Sequence, residues 1–557
     1  MKPSGSIKRY LPVLACNKYS IGRIRSNDVF RDDGKRIFAV PESKIIGLNP
    51  RNNEDLNFIG EAYGYEAEEK GDDMDVWNLK GGQLKILSQG EIEEIHQRAL
   101  DVLQQVGCFF ESKDALAIFE KHGAVVDYST RIAKLPRNMV EAALRLCPSS
   151  MLLAARDPAR DIHAEGDRVY FGPGTLPVKV RDLETGQIRM GTLKDCEDFA
   201  RLIDALEFIH FFKGMITPND VNKKIPELYM INAAYNNTTK QISSTSLSVK
   251  AVLDLYRMGV AVAGGEEAFK QRPMIIINML AVSPLQWGKT NLDAIIALAK
   301  VGCPIIVGSE PQGGTTGPTP LAGQVMLNVA ETLAGIALTQ LIKPNTPIMW
   351  GNVGSLSDMR SGLFASGAVE LGLINAAMNQ MAKFYRLPTY STGGMSDSKL
   401  SDAQAGVEKS LQALTVALAG GNYIHDAAGL MESCLLCSYE QYVIDNEMLG
   451  MVSRVLEGIR VTPETLSFEQ IKEIGPGGNF MGLRHTLDHI RKEHYLPRLF
   501  DRSTYDAWEA AGARDIREIA RDKAREILAT HRVEPLPQEA CDELQAIIKN
   551  AEETYAK

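Results

Sequence analysis

From about residue 205 onward, short apolar runs alternate with longer helix-like runs, and this rhythm limits the possible folds more than any other feature of the chain. Strand-like runs occupy 207–213, 241–245, 274–282, 304–309, 347–350, 388–391 and 422–425. A strand that is apolar throughout must be covered on both faces, which requires a parallel sheet with helices packed against it. An open doubly wound sheet and a closed barrel both satisfy this. Polar residues recur at nearly every strand C-terminus, where a barrel keeps its site, so an α/β fold with a TIM-type (β/α)8 barrel is expected. Its eighth strand is expected after about residue 455.

The barrel is assigned to residues 166–460. Ahead of it, residues 81–165 read as a helical N-terminal layer: Ser88 and Glu91 have capping-box spacing, and Ile92, Ile95, Ala99, Leu103 and Val106 share one face before Gly107. The stretch 169–195 reads as a hairpin that plugs one end of the barrel or lends Phe171 to a pocket. Residues 1–80, rich in turn formers and acidic residues, are assigned to an N-terminal extension, and 461–557 to a C-terminal helical region.

A net charge of -9 argues against nucleic acid or an anionic membrane as partner, because phosphate contacts need clustered cations. Cys16, Cys108, Cys147, Cys196, Cys303, Cys434, Cys437 and Cys541 are scattered, as in a reduced compartment. Cys434 and Cys437 form a lone CxxC and are expected to pack within a helix. Lys2, Lys8 and Arg9 precede an apolar run too short for a signal peptide, and no run approaches the ~18 consecutive apolar residues of a membrane span. A cytoplasmic protein, assembling with copies of itself, is expected.

His485 and His489 have the i, i+4 spacing of a zinc pair but lack the intervening glutamate of HExxH, so no metal site is assigned; hydrogen bonding to backbone or carboxylates is the expected role. The run GGTTG (313–317) lacks the Lys-Ser/Thr of a phosphate loop. The strand ends instead collect Glu310, Gln312, Trp350, Asn352, Tyr390, Ser396, Asp397, His425, Asp426, Glu432, Tyr439 and Glu440. Ring faces and uncompensated carboxylates are what hold a quaternary ammonium, which has no proton to donate.

The runs FGPGTLPVKVRDLETGQIRMGTLKD, GGTTGP, GGMSDSKLSDAQAG, IHDAAG, MESCLLCSYEQYVIDNE and HTLDHIRKEHYLPRLFDR, in that order between residues 88 and 508, resemble the trimethylamine methyltransferase family of corrinoid-dependent enzymes. The resemblance implies a barrel that moves a methyl group from a methylated amine to the Co(I) corrinoid of a separate small protein, with no cofactor bound covalently. The sequence contains no pyrrolysine, and Lys399 is where one recorded as lysine would be sought. The chain therefore resembles the branch that demethylates quaternary amines such as glycine betaine. The alternatives are a trimethylamine enzyme with a masked pyrrolysine and a non-catalytic quaternary-amine-binding protein. Under this resemblance Trp350, Tyr390, Phe171 and Tyr439 are candidates for substrate contact. Glu310 or Asp397 would supply counter-charge, and His425 or Gln312 would hold a substrate carboxylate with help from Lys399 or Arg360. Gly313, Gly314, Gly393, Gly394 and Ser396 would line loops facing the corrinoid across an open mouth.

Overall fold

The computed structural model describes residues 74–555 apart from 215, 246 and 247, together with a short antiparallel pairing of 31–32 with 35–36. Eight parallel strands share one sheet: β1 (Tyr170–Pro173), β2 (Phe211–Lys213), β3 (Gln241–Thr245), β4 (Ile275–Ala281), β5 (Ile305–Ser309), β6 (Ile348–Asn352), β7 (Thr389–Thr392) and β8 (Tyr423–Ala428). Each is followed by a long helix: α1 (Leu193–Ala205), α2 (Pro226–Asn237), α3 (Val249–Ala263), α4 (Lys289–Val301), α5 (Leu321–Ile342), α6 (Val369–Phe384), α7 (Ala403–Leu418) and α8 (Tyr439–Glu457). β8 pairs with β1. The His210 amide donates to the Phe171 carbonyl (2.7 Å) and the Leu176 amide to that of Gly214 (2.8 Å), joining β1 to β2 and closing the ring.

The expected TIM-type barrel is therefore present, but its missing strand is β1, inside the stretch read as a hairpin. Residue 455 lies in α8. Four residues ending in Gly-Pro carry little strand signal of their own, so β1 is specified by the neighbours that pair with it.

Alternation along each strand sorts the barrel into two cores. Tyr170, Phe211, Ile276, Ile306, Met349, Tyr390 and Tyr423 fill the lumen, whereas Phe171, Phe212, Ile305, Val307, Ile348, Trp350 and Ile424 join the larger core between sheet and helices. Register carries this around the ring: Gly308 lies beside Gly351, Gly351 beside Tyr390, Tyr390 beside Tyr423 and Tyr423 beside Tyr170, all facing inward. Small residues on two neighbouring strands leave space for rings on the next three.

The lumen is floored by a hairpin of Met151–Leu153 and Ile162–Ala164, whose Met151, Leu153, Ile162 and Ala164 pack under the lumen rings. Its Ala154 amide donates to the Pro273 carbonyl just ahead of β4, which places it at the strands' N-terminal end. The plug thus precedes β1 rather than containing it. The layer before the barrel holds Gln89–Asp101, Lys113–Lys121 and Arg137–Arg145, with the Ser88–Glu91 capping box formed. It also contains a small sheet of 108–110, 125–127 and 132–134 that continues onto Gln286–Trp287, so it is mixed rather than purely helical. These helices cover α5, which is long and apolar enough to cross a membrane but lies mostly buried in the fold. The C-terminal helices Ile516–Thr530 and Gln538–Tyr555 pack on α1 with α8 and on α2 with α3 respectively.

A methyl group on Gly172, inward-facing in β1, would lie 1.9 Å from the Phe211 ring, whereas one on the exposed Gly90 would meet nothing within 4 Å. Gly172→Ala is expected to lower unfolding stability by ~1–3 kcal/mol and Gly90→Ala to raise it by ~0.5–1 kcal/mol, as read from urea denaturation.

Candidate functional site

The upper end of the lumen holds a polar cluster drawn from four strands. Lys213 closes β2, Asn278 lies in β4, Glu310 follows β5 by one residue, and His425 and Asp426 lie in β8. Alternation alone would turn Asp426 away from His425. Its left-handed backbone (φ 61°) sits in an irregularity of the β8–β1 register and swings the carboxylate beside the imidazole, with Asp426 Oδ2 2.9 Å from His425 Nδ1. Neither His425 Nδ1 nor Asp426 Oδ1 has a hydrogen-bond partner of full geometric quality among the described residues. The imidazole is fixed on its other sides: Nε2 meets Thr392 Oγ1 at 2.7 Å and the ring stacks on Tyr390 at 4.0 Å. The Lys213 ammonium hydrogen-bonds the Tyr390 hydroxyl and stands 4.3 Å from the centre of its ring.

Burial sets the charges. Lys213, His425 and Asp426 are 1%, 3% and 4% exposed. Desolvation pushes Glu310 up to about 7, with neighbouring Asp426 adding to the rise and Lys213 opposing it. It pulls Lys213 down to about 8 against the attraction of Asp426 and Glu310. His425 falls to about 4, because desolvation outweighs Asp426, and it is neutral near pH 7. Asn278 Oδ1, like Asp426 Oδ1, is buried without a donor. The lumen mouth thus holds two acceptors that no donor among the described residues satisfies.

The loops above this cluster are tied down. Asp397 Oδ1 accepts from the Ser366 amide (3.1 Å) and hydroxyl (2.7 Å) and from the Ser433 hydroxyl (2.6 Å), and Oδ2 from the Gly367 amide (3.0 Å). One carboxylate so joins the loops after β6, β7 and β8. Beneath it the fully buried Lys409 of α7 donates to the Gly394 carbonyl (2.8 Å) and pairs with Asp445 of α8 (3.1 Å), which receives the Gly429 amide (2.7 Å).

A family model described as trimethylamine methyltransferase (MTTB) matches residues 64–555. Trimethylamine methyltransferase MttB of Desulfitobacterium hafniense is 35% identical over 480 residues, 86% of this chain and 96% of its own length. The chain belongs to the trimethylamine methyltransferase family. A glycine betaine methyltransferase of the same species is 33% identical over 464 residues, covering 83% of this chain and 96% of that protein. Among solved structures, the Methanosarcina barkeri monomethylamine methyltransferase aligns over 88% of this chain and 95% of its own at 11% identity and a TM-score of 0.44.

Among the residues expected to serve this trimethylamine methyltransferase family member, Glu310, His425 and Tyr390 come together in the lumen. Others do not. Trp350 and Phe171 point outward from β6 and β1, Trp350 stacking on Tyr385 at 5.2 Å, so neither faces the lumen. Tyr439 opens α8 outside the barrel, stacks on Phe199 and donates to Asp195 (2.8 Å). Asp397 spends both oxygens on loops. Gln312 is half-buried and accepts from Ser357 (3.2 Å) in a small ribbon over the mouth. Gly313 and Gly314 belong to that turn, Gly314 with φ 95°.

Gly393 and Gly394 are filled in by Val416 and by the Ala427 backbone, and the Ser396 hydroxyl donates to Glu408 (2.6 Å). These residues pack the loops together instead of lining an open mouth. Lys399 is exposed and donates to the Asp397 carbonyl (2.7 Å), and Arg360 is exposed and pairs with Asp358, so neither enters the lumen. Cys434 lies in a left-handed turn and Cys437 in a strand, not in a helix. His485 and His489 stack on each other at 4.0 Å, His489 facing Glu464, and no metal-binding group of three or more acidic, His or Cys residues exists among the described residues.

Lys213 is the residue the sequence reading passed over, and Asp426, noted among the strand-end residues, was given no role of its own. A lysine ending an apolar strand run was the signal for the first, and the pair His425-Asp426 for the second. Because Trp350 packs against helices, Trp350→Ala is expected to cost ~3–5 kcal/mol of stability, read by chemical denaturation, as for other buried aromatics truncated in a core.

Proposed function

We propose that this chain moves a methyl group from a quaternary, trimethylammonium-bearing amine to the reduced corrinoid of a separate protein. The observation that carries the reading is the pair of carboxyl groups, Asp426 and Glu310, held together in the desolvated lumen mouth, where they create negative potential. A quaternary nitrogen spreads its charge over methyl groups and is held by diffuse negative potential. Family membership and the names of the similar proteins support methyl transfer from a methylated amine.

A Co(I) corrinoid on a partner would supply the electron pair for the new bond to the methyl carbon, the C–N pair leaving with nitrogen as a neutral tertiary amine. No proton moves, so the cluster needs no general acid. Its tasks are to orient the methyl group toward the mouth and to strip water from the cation. Glu310 and Asp426 attract the charged substrate, and that charge is lost on transfer, so they favour binding over the transition state. Neutral His425 buttresses Tyr390 without adding a repelling charge. Since the cluster is nearly shut from solvent, the ribbon bearing Gln312 and the loops tied by Asp397 must part for a macrocycle to reach it.

A masked pyrrolysine at Lys399 is disfavoured because that side chain lies outside the lumen. A binding protein without transfer would share the cluster, and a direct assay separates the two. Purified protein mixed with reduced cobalamin and glycine betaine, choline or trimethylamine is expected to bleach the Co(I) band with a quaternary amine; binding without bleaching would favour the non-catalytic reading.

Glu310 gains its charge as pH rises through about 7, so amine affinity is expected to rise over the same range. Glu310→Gln should weaken binding about tenfold, ~1.4 kcal/mol, and abolish this acid limb in calorimetric titrations, while altering the transfer rate at saturation little.

A further inference from the structure

Three lysines are buried among the described residues, and two have obvious structural employment. Lys240 donates to the carbonyls of Ile203, Leu206 and Ile209, closing the end of α1. Lys409 donates to the Gly394 carbonyl and pairs with Asp445. Lys213 is different. Its one hydrogen bond among the described residues goes to the neutral Tyr390 hydroxyl, which leaves two of its three N–H groups without an acceptor inside the lumen. A buried ammonium so poorly satisfied costs stability unless something else completes its shell.

The groups facing it are Tyr390 from β7, Glu310 from the end of β5 and His425 with Asp426 from β8. Glu310 and Asp426 act on it through space, and His425 is neutral. A second cation brought into this cluster would meet Lys213 as a like charge. An anionic group on the same ligand, lodged between its own ammonium and Lys213, removes that repulsion and fills the open N–H positions.

We propose that Lys213 anchors a carboxylate of the substrate, so that the site selects zwitterionic trimethylammonium acids over trimethylammonium compounds lacking an acid. This rests on the quaternary-amine reading above and adds to it a specificity-determining residue. It also replaces Lys399 and Arg360, which stand outside the lumen, in that role.

The test compares glycine betaine and carnitine, which carry a carboxylate at two spacings, with choline, which offers the same trimethylammonium group and a hydroxyl. In calorimetric titration of the intact wild-type protein, at least one acid is expected to bind ten-fold or more tighter than choline. Its affinity should fall as pH rises through about 8, where Lys213 loses its proton, while that of choline does not fall there.

In Lys213→Met the preference for the acid should vanish, with choline binding unchanged or tighter. Thermal unfolding of this variant should show no loss of stability, because a lysine kept for a ligand adds little to the fold. Choline binding as tightly as both acids, or a preference that survives in Lys213→Met, overturns the anchor and leaves the quaternary-amine reading standing. Failure of all three compounds to bind wild type overturns both.

Discussion

The pairing of β1 with β8 on one side and β2 on the other is what the remaining structure depends on. Without that four-residue strand the sheet would be open, and the inward faces of the other seven would look into solvent. Closure gives every strand one wet-excluded face and one helix-covered face, and alternation then assigns each side chain to one or the other. Lys213 and His425 meet over Tyr390 because all three lie on inward positions of strands whose register the ring fixes. Low dielectric follows from the same closure, and with it the elevated Glu310 and depressed Lys213.

The rhythm of apolar runs was legible because parallel strands covered on both faces cannot hide their composition, and seven of the eight were found that way. β1 was not, since Tyr-Phe-Gly-Pro owes its conformation to its neighbours. The strand ends do bring Glu310, His425 and Tyr390 together, as the sequence led one to expect. Which way each residue points was not legible. Trp350 and Tyr390 each lie within a strand that ends at the site, and both are aromatic; only register separates them, Trp350 standing beside Thr389 and Gly351 beside Tyr390. A single position's slip exchanges lumen for helix layer. Asp426, noted at a strand end, was given no role for the opposite reason: its left-handed backbone breaks the alternation that would have turned it away from His425.

The glycines taught a similar lesson. Gly393 and Gly394 looked like space left for a large ligand, yet the space is occupied by Val416 and the Ala427 backbone. The loop they belong to is held by the Lys409–Asp445 pair below and by Asp397 above, so rigidity of the mouth comes from buried carboxylates reaching across three connections. Asp397 follows a strand just as Glu310 does, whereas Asp445 lies within α8. Their composition is the same, and their partners differ.

The hairpin under the lumen has a kinetic meaning. With Met151, Leu153, Ile162 and Ala164 sealing the far end, the donor and acceptor of the proposed reaction would share one doorway. Under that proposal the small molecule would be seated before the bulky protein arrives, and the product would leave only after that protein departs. A barrel with a stopper in its base imposes an order of events on a reaction whose chemistry requires none.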